Sequence, residues 1–242
     1  MVGTPHPALA GIIAGRAGLM IDATGRAMPG LLAALGHNMP DVIASYVTGS
    51  DGVDLPAAEW NALAGKVGLF RYDQSPGLAL FASGAADGAD IERGAGTVGA
   101  FIDAARKREA RGWHSWAYID QADAPALQGE VKAAGLRLVQ YGIANWNDSL
   151  AAATTQLGPS VAYVQWASPS SNPHTQVPGT TKTLLELNCD LNATLPGWFA
   201  VKHPVAPPGP LHGLVVVDQP ATGLVGHPVT SADDGRTWAA AS

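Results

Sequence analysis

Two carboxylates two residues apart, Asp90 and Glu92, carry the strongest chemical signal in the chain. They stand in Gly88-Ala-Asp-Ile-Glu, a segment typical of a short strand. Residues i and i+2 of a strand point to the same face, so both carboxylates lie on one side with Ile91 on the other. Acid/base chemistry at a glycosidic bond uses two such neighbouring carboxyl groups. We therefore predict a glycosidase-type site here.

Strands and helices alternate along the chain around this segment. Thr97 is expected to begin the clearest helix, in which Val98, Phe101, Ile102 and Ala105 form one apolar face. The predicted strands are Gly18–Gly25, Val42–Gly49, Val67–Gln74, Gly88–Glu92, His114–Asp120, Leu138–Asn145, Val161–Trp166 and Leu184–Leu191. Strands separated mostly by helices predict the α/β class, as a small (β/α)₈ barrel of the TIM type.

The composition changes near residue 200. We predict a barrel over residues 1–200, a proline-rich linker over 201–212 and a short β appendage over 213–242. The appendage is expected to contain a strand at Gly213–Val217 and a hairpin around Asp234-Gly235. At the other end, the apolar piece Ala8–Ala14 lacks a basic region before it. We interpret it as an N-terminal helix, not a signal peptide.

Polar residues gather where the predicted strands end, which is where barrel enzymes hold their catalytic groups. The acids at these ends are Asp22, Asp73, Asp90, Glu92, Asp120 and Asp190. In the eighth predicted strand, Glu186, Asn188, Asp190 and Asn192 share one face. Cys189 falls on the other face, where a small buried hydrophobe fits better than a nucleophile.

Each acid taken singly has a structural explanation that is as good as a role in the site. Asp22 could cap a turn, Asp73 could form an ion pair with Arg71, and Asp120 could cap a helix. Their shared location favours a site. We predict Glu92, Asp90, Asp22 and Asp190 as catalytic. The residues that we predict to contact the substrate are Asp73, Tyr118, Tyr141, Gln165 and Trp166.

Several other functions are disfavoured. The net charge is −6 and no basic run occurs, so nucleic acid is not expected as a partner. No apolar run reaches membrane-spanning length. The single cysteine and the spacing of the seven histidines indicate no metal site, and we expect no cofactor. The segment Gly94–Gly99 matches G-x-G-x-x-G, but acids would repel a pyrophosphate there, so a dinucleotide site is a minor alternative.

The order of four short motifs resembles the family 25 glycoside hydrolases, lysozyme-like barrels of bacteria and phages that cut peptidoglycan. These are Ile21-Asp-Ala-Thr, Ala89-Asp-Ile-Glu, Val164-Gln-Trp and Cys189-Asp-Leu-Asn. A divergent actinobacterial and actinophage branch looks closer still. That similarity is carried by Arg71-Tyr-Asp-Gln-Ser-Pro-Gly, Glu92-Arg-Gly-Ala-Gly-Thr and Gln165-Trp-Ala-Ser-Pro-Ser-Ser-Asn-Pro. The resemblance spans roughly Gly18 to Phe199.

The resemblance implies that Glu92 is the general acid, that Asp90 supports the developing positive charge, and that Asp22 and Asp190 line the same cleft. It implies a lysin that acts on cell-wall glycan at the bacterial wall. The alternative is a virion component, such as a minor tail protein, whose inactive or weakly active barrel binds wall glycan and contacts other virion proteins.

Overall fold

The computed structural model describes residues 17–47, 54–64, 66–92, 96–146, 149–195 and 198, together with the backbone of three later strands. The chain divides into two compact units, Met1–Lys202 and His203–Ser242. The predicted N-terminal helix and the Asp234-Gly235 hairpin lie outside the described residues, as does most of the predicted linker.

The first unit is an α/β protein built on a closed barrel of eight strands. The strands follow one another around the barrel in chain order. They are β1 (Gly18–Ala23), β2 (Val42–Tyr46), β3 (Gly68–Asp73), β4 (Gly88–Asp90), β5 (Ser115–Asp120), β6 (Val139–Ala144), β7 (Val161–Ala167) and β8 (Cys189–Thr194). The predicted small barrel is confirmed.

Helices connect most of the strands. They are α1 (Met28–Leu35), α2 (Ala57–Leu63), α3 (Ala79–Ser83), α4 (Val98–Glu109), α5 (Ala124–Ala133), α6 (Leu150–Gln156) and α7 (Leu184–Leu187). The Thr97 side chain caps α4 by accepting a hydrogen bond from the amide of Ala100, and Ser149 caps α6 in the same way. Helix α2 begins after its N-cap residue, Pro56. Several of these helices span two turns or fewer, which is how a small chain completes the barrel.

The last strand departs from the parallel pattern expected of this fold. Strands β1 to β7 run parallel to one another, whereas β8 runs antiparallel to both of its neighbours, β7 and β1. The predicted strand Leu184–Leu191 is wrong in its first half, which forms α7. In this helix Thr183 and Glu186 form a reciprocal capping box. Asn188 then adopts a left-handed conformation (φ 47°), which turns the chain into β8.

The predicted polar face of the eighth strand is corrected accordingly. Glu186 is a capping residue that also pairs with Lys182 (3.1 Å), and Asn188 is the turn residue. Of the four residues in the predicted face, only Asp190 and Asn192 belong to β8, where they share a face. Because β8 is antiparallel, its first residues lie at the edge where the other strands end. We call this edge of the barrel the rim. Asp190 lies at the rim, as expected, although it stands at the beginning of its strand and not at the end.

Aromatic side chains fill the inside of the barrel. The buried inner cluster contains Phe70, Tyr72, Trp116, Tyr163 and Trp198, with rings in tilted and edge contacts at 4.9–6.5 Å between centroids. Space for these rings comes from glycine on the neighbouring strands. A Cβ at Gly88 would lie 2.7 Å from the ring of Phe70, and one at Gly142 would collide with Tyr163. The interior is a packed apolar floor beneath the rim.

A buried arginine fixes the segment that leads into β4. Arg108 of α4 is fully buried and donates through Nη1 to the carbonyl oxygens of Phe81 (2.6 Å) and Ala86 (3.2 Å). Its Nε and Nη2 donate to the carbonyl oxygen of His114, at the start of β5. The guanidinium also lies 4.4 Å from the centroid of the Phe81 ring. One side chain therefore connects α3, α4 and the approaches to β4 and β5.

An ion pair fixes the same segment against β3. The Asp87 carboxylate, fully buried, accepts from the backbone amide of Arg71 (2.9 Å) and from its Nε (3.0 Å). The predicted partner of Arg71 was Asp73, which has a different role described below. Together with Arg108, this pair fixes the segment that leads into β4, the strand that carries Asp90.

The second unit is described by itself through its backbone. It forms a three-stranded antiparallel sheet of β9 (Leu211–Gln219), β10 (Gly223–Ser231) and β11 (Ala239–Ala240), with β10 in the middle. The first strand begins within the last residues assigned to the linker. Within the described part of the chain, no helix combines the length and apolar character needed to cross a bilayer.

Candidate active site

The four acids predicted as catalytic meet at the rim where the parallel strands end. Asp22 and Asp190 are direct register partners on β1 and β8. Asp90 ends β4 and Glu92 follows it by two residues. The charge of Asp90 raises the pKa of both Asp22 and Glu92, and the charge of Glu92 raises that of Asp190, so the four groups are within electrostatic reach of one another. This assembly is the candidate active site.

The Asp22–Asp190 pair is held together by a shared hydrogen bond between the carboxyl groups. Burial raises the pKa of Asp22, and burial together with the charge of Asp22 raises the pKa of Asp190 further. Two adjacent carboxylates cannot both ionise cheaply, so the pair holds one proton, on Asp190. Asp22 remains the anionic member.

Asn192 favours Asp22 as the ionised member of that pair. Its Nδ2 donates to Asp22 Oδ2 (2.7 Å) and lies 3.5 Å from the carbonyl oxygen of Met20. The side chain is fully buried, and Asp22 is 9% exposed. A hydrogen bond donated to a carboxylate favours its charged form. On the other member, a hydrogen bond from Gln165 partly offsets the rise in the pKa of Asp190.

Glu92 is positioned by the turn that ends β4. Its backbone amide donates to Asp90 Oδ1 (3.0 Å), and the amide of Gly96 donates to the Asp90 carbonyl oxygen (3.2 Å). The chain thus bends around Asp90. Ile91 points to the opposite face, where it packs in the apolar core that includes residues of the helices. The predicted strand is shorter than expected, but the two acids do face the same site.

The pKa of Glu92 is raised to about 8. Burial is the largest cause, followed by the charges of Asp90 and Asp120 and a hydrogen bond with the Asp120 side chain. A carboxylic acid with this pKa keeps its proton at neutral pH and can donate it. The apolar floor accounts for the burial effect, because an apolar surrounding disfavours the charged form.

Asp90 has a different environment from Glu92. Burial also raises its pKa, but the amide of Glu92 and the hydroxyl of Tyr46 donate to its carboxylate and act in the opposite direction. It is 5% exposed. Two carboxyl groups with such contrasting surroundings are suited to different roles, one as a proton donor and one as a fixed negative charge.

Three residues at this site were not among the predicted site residues. Tyr46, near the end of β2, donates to Asp90 and feels the charges of all four acids. Asp120 ends β5 beside Glu92, and Asn192 supports Asp22. The sequence did place Asp120 at the end of a predicted strand and Asn192 on the polar face of another. For Tyr46, the signal was an aromatic residue at the end of a barrel strand.

Of the predicted substrate-contacting residues, two lie beside the acids. Tyr118 stands on β5 opposite Asp90, its ring stacked on Tyr163 at 6.4 Å between centroids. Gln165, 2% exposed, reaches Asp190 from β7. The side chain of Trp166 lies on the outer side of the barrel, where it belongs to the same buried apolar cluster as Val164 and Leu191.

The structure does not bring Asp73 or Tyr141 to the acids. The Asp73 carboxylate is fully buried and accepts from the amide of Ser75 (2.9 Å), the hydroxyl of Ser75 (2.6 Å) and the amide of Phe81 (2.9 Å). It organises the loop into α3. Tyr141 faces outward from β6 and lines a shallow cleft with Val131 of α5. Local packing is sufficient to explain both residues.

Cys189 lies on the outer side of β8, as expected from the alternation of the strand. It is 2% exposed, and burial raises the pKa of its thiol above its ordinary range. Among the described residues, no group of three or more His, Cys, Asp or Glu side chains is arranged to hold a metal ion.

Known proteins resemble this chain weakly in sequence and structure. No protein-family model matches the sequence, and no curated protein matches it. Among solved structures, the chain is similar to GHIP, described as a glycosyl hydrolase 25 of Streptococcus pneumoniae and a virulence factor participating in host cell invasion. The identity is 12% and the TM-score 0.36, with 78% of this chain and 92% of that chain covered. Function is therefore inferred from the site.

Proposed function

We propose that the protein is a glycoside hydrolase that cuts the glycan strands of peptidoglycan. The observation that carries the proposal is the contrast between Glu92, whose pKa is raised to about 8, and Asp90, whose carboxylate accepts two hydrogen bonds two residues earlier. A protonated acid beside a fixed carboxylate is the equipment for cleaving a glycosidic bond. Both sit on the barrel rim, where enzymes of this fold act.

Glu92 serves as the general acid. Its proton passes to the glycosidic oxygen as the bond from that oxygen to the anomeric carbon breaks, so the departing sugar leaves as a neutral alcohol. Positive charge then develops on the ring that remains. Water completes the hydrolysis, supplying a hydroxyl group to the anomeric carbon and returning a proton to Glu92.

Asp90 and Asp22 supply negative charge to the oxocarbenium-like state. Their carboxylates are fixed before the substrate binds, by Tyr46 and the Glu92 amide in one case and by Asn192 in the other. Charge that is already oriented costs no reorganisation when the transition state forms. Asp190, protonated, donates its single O–H to Asp22.

Peptidoglycan is proposed as the substrate because of the motif order that resembles the lysozyme-like family 25 enzymes. The tyrosine beside the acids, Tyr118, is suited to contact the apolar face of a sugar ring. Delivery as a lysin or as a virion component is part of the same proposal. In the virion alternative, the barrel binds wall glycan without cutting it.

The test is muropeptide analysis of purified actinobacterial cell walls after incubation with the protein. Three forms are compared: the wild type, Glu92→Gln, and Glu130→Gln as a matched control on the exposed face of α5. New reducing ends with the wild type and the control, but not with Glu92→Gln, would support the glycosidase. Sedimentation with the walls and no reducing ends from any form would replace it with the glycan-binding alternative.

A further inference from the structure

Glu92 and Asp120 occupy facing positions on neighbouring chain segments. Strands β4 and β5 are parallel, with Asp90 opposite Tyr118. The pairing continues one residue further, since the Ile91 amide donates to the Tyr118 carbonyl oxygen (3.1 Å). Two residues beyond the Asp90–Tyr118 pair, on the same face of both segments, are Glu92 and Asp120. Neighbouring strands lie about 4.8 Å apart, which brings their side chains into contact.

The two side chains form a hydrogen bond with each other. Ionised carboxylates have acceptors only, so a bond between two of them requires that one carries a proton. The proton belongs on Glu92. It follows Asp90 by two residues, and the charges of Asp90, Asp120 and Asp22 all act on it from β4, β5 and β1.

The described groups around Glu92 all favour its protonated form. Besides those three acids, the ionisable groups that share its field are Asp190 of β8 and the tyrosines 46, 118 and 163 of β2, β5 and β7. All of them are acids or phenols. A second negative charge on Glu92 would therefore be opposed by each neighbour.

We propose that Asp120 is a positioning residue that accepts a hydrogen bond from the protonated Glu92 carboxyl and so orients the acid. The inference rests on the proposed function for its catalytic meaning, although the pair itself can be measured without substrate. Asp120 does not touch the scissile bond. It acts through Glu92.

The pair has a consequence for both halves of the reaction. When Glu92 gives its proton to the leaving oxygen, the pair is left with two negative charges. Their repulsion makes Glu92 a stronger base, so it readily takes a proton from the attacking water and returns to its starting state. The same partner thus holds the acid before the first step and drives its recovery in the second.

The direct test is a ¹³C NMR titration of the protein labelled at the glutamate side-chain carboxyl carbon. The chain has five glutamates, and Glu92→Gln identifies the resonance of Glu92. The wild type is expected to show a midpoint near 8 for this carbon. In Asp120→Asn the midpoint should fall by about one unit or more, because one neighbouring charge is gone.

Asp123→Asn is the matched control. It removes one negative charge three residues away, on the exposed first residue before α5, and should leave the Glu92 midpoint unchanged. An Asp120→Asn midpoint equal to that of the wild type would overturn the proposal. So would an equal fall in the Asp123→Asn protein, since that would reflect net charge and not contact.

Because this titration uses no glycan, a wild type that releases no reducing ends would reject the proposed function and leave this inference standing.

Discussion

Two carboxyl pairs face each other across the rim of the barrel, and they differ in the partners of their members. Asp22 and Asp190 join β1 to β8, while Glu92 and Asp120 join β4 to β5, halfway around the ring of strands. We call the first the sealed pair because Asp22 is buried and bound to the buried amide of Asn192, although Asp190 itself is half-buried. We call the second the open pair because both of its members are half-buried.

The difference separates a fixed charge from a proton that can be transferred. In the sealed pair the amide donor favours the ionised form of Asp22, and Asp190 holds the proton. In the open pair the charge of Asp90 favours the protonated form of Glu92. Disturbing one pair at a time should separate these roles.

The largest expected effect is on catalysis at the open pair. Glu92→Gln removes the transferable proton and should lower kcat/KM on peptidoglycan by about 10²- to 10⁴-fold, whereas Asp120→Asn should cost only about tenfold near neutral pH. The measurement is the rate of reducing-end release. Equal losses in the two variants would show that the pair acts as one unit, contrary to the division of roles above.

A second expected effect is on the basic limb of the pH–rate profile. Since Glu92 must be protonated, kcat/KM should fall above about pH 8 in the wild type. In Asp120→Asn the limb should shift to lower pH, and in Asn192→Ala it should stay near its wild-type position. A shift in Asn192→Ala as large as that in Asp120→Asn would remove the distinction between the pairs.

The third expected effect is on stability at the sealed pair. Asn192→Ala leaves the buried Asp22 carboxylate without its amide donor, so the free energy of unfolding should fall by about 1–3 kcal/mol. Asn38→Ala is the matched control, because that amide donates to the Gly179 carbonyl oxygen at an exposed site (3.0 Å). Urea denaturation of both variants gives the comparison, and a loss as large in Asn38→Ala would contradict the special role of burial.

The fourth expected effect is on the pH dependence of stability. The pKa of Glu92 is 4.5 in an ordinary environment and about 8 in the fold, so the folded protein binds its proton more tightly over that window. The stabilisation is present below pH 4.5 and is lost as the pH rises through 8. Glu92→Gln should therefore show a flatter fall in unfolding free energy between pH 5 and 8 than the wild type. Parallel curves would mean that Glu92 ionises normally.

The smallest expected effect concerns local opening beside the sealed pair. Cys189, the single cysteine, precedes Asp190 and is 2% exposed, so a thiol reagent should label it slowly in the folded protein. Asn192→Ala should speed labelling by loosening the β1–β8 contact, and Asp120→Asn should not. Equal labelling rates in the two variants would indicate that the pairs are not independent.

Much of the barrel was predictable because its signals are local. Strand-like runs alternate with helices at even spacing, and caps such as Thr97 mark where helices begin. The wrong half of the eighth predicted strand also had a local signal. Thr183-Leu-Leu-Glu186 is a capping-box sequence, and it predicts a helix start more strongly than its leucines predict a strand. The antiparallel direction of β8 follows from tertiary closure, which no local pattern encodes.

The site was predictable in its acids and not in their partners. Asp22, Asp90, Glu92 and Asp190 could be found because strand ends converge in a barrel. Which side chain lies beside each acid depends on the register between strands that are far apart in sequence. Asp22 and its donor Asn192, for example, are 170 residues apart. Asp73 shows that an acid at a strand end need not belong to the site, because its carboxylate accepts hydrogen bonds from the loop that follows.

We propose that the protein breaks glycosidic bonds of peptidoglycan with Glu92 as the acid. The most direct measurement is digestion of purified cell walls in water enriched in heavy oxygen, with immediate borohydride reduction and mass spectrometry of the fragments. The account predicts one heavy oxygen at the newly formed sugar end with the wild type and with Glu130→Gln, and none with Glu92→Gln. Heavy oxygen in the peptide carboxyl groups, or equal incorporation with Glu92→Gln, would contradict it.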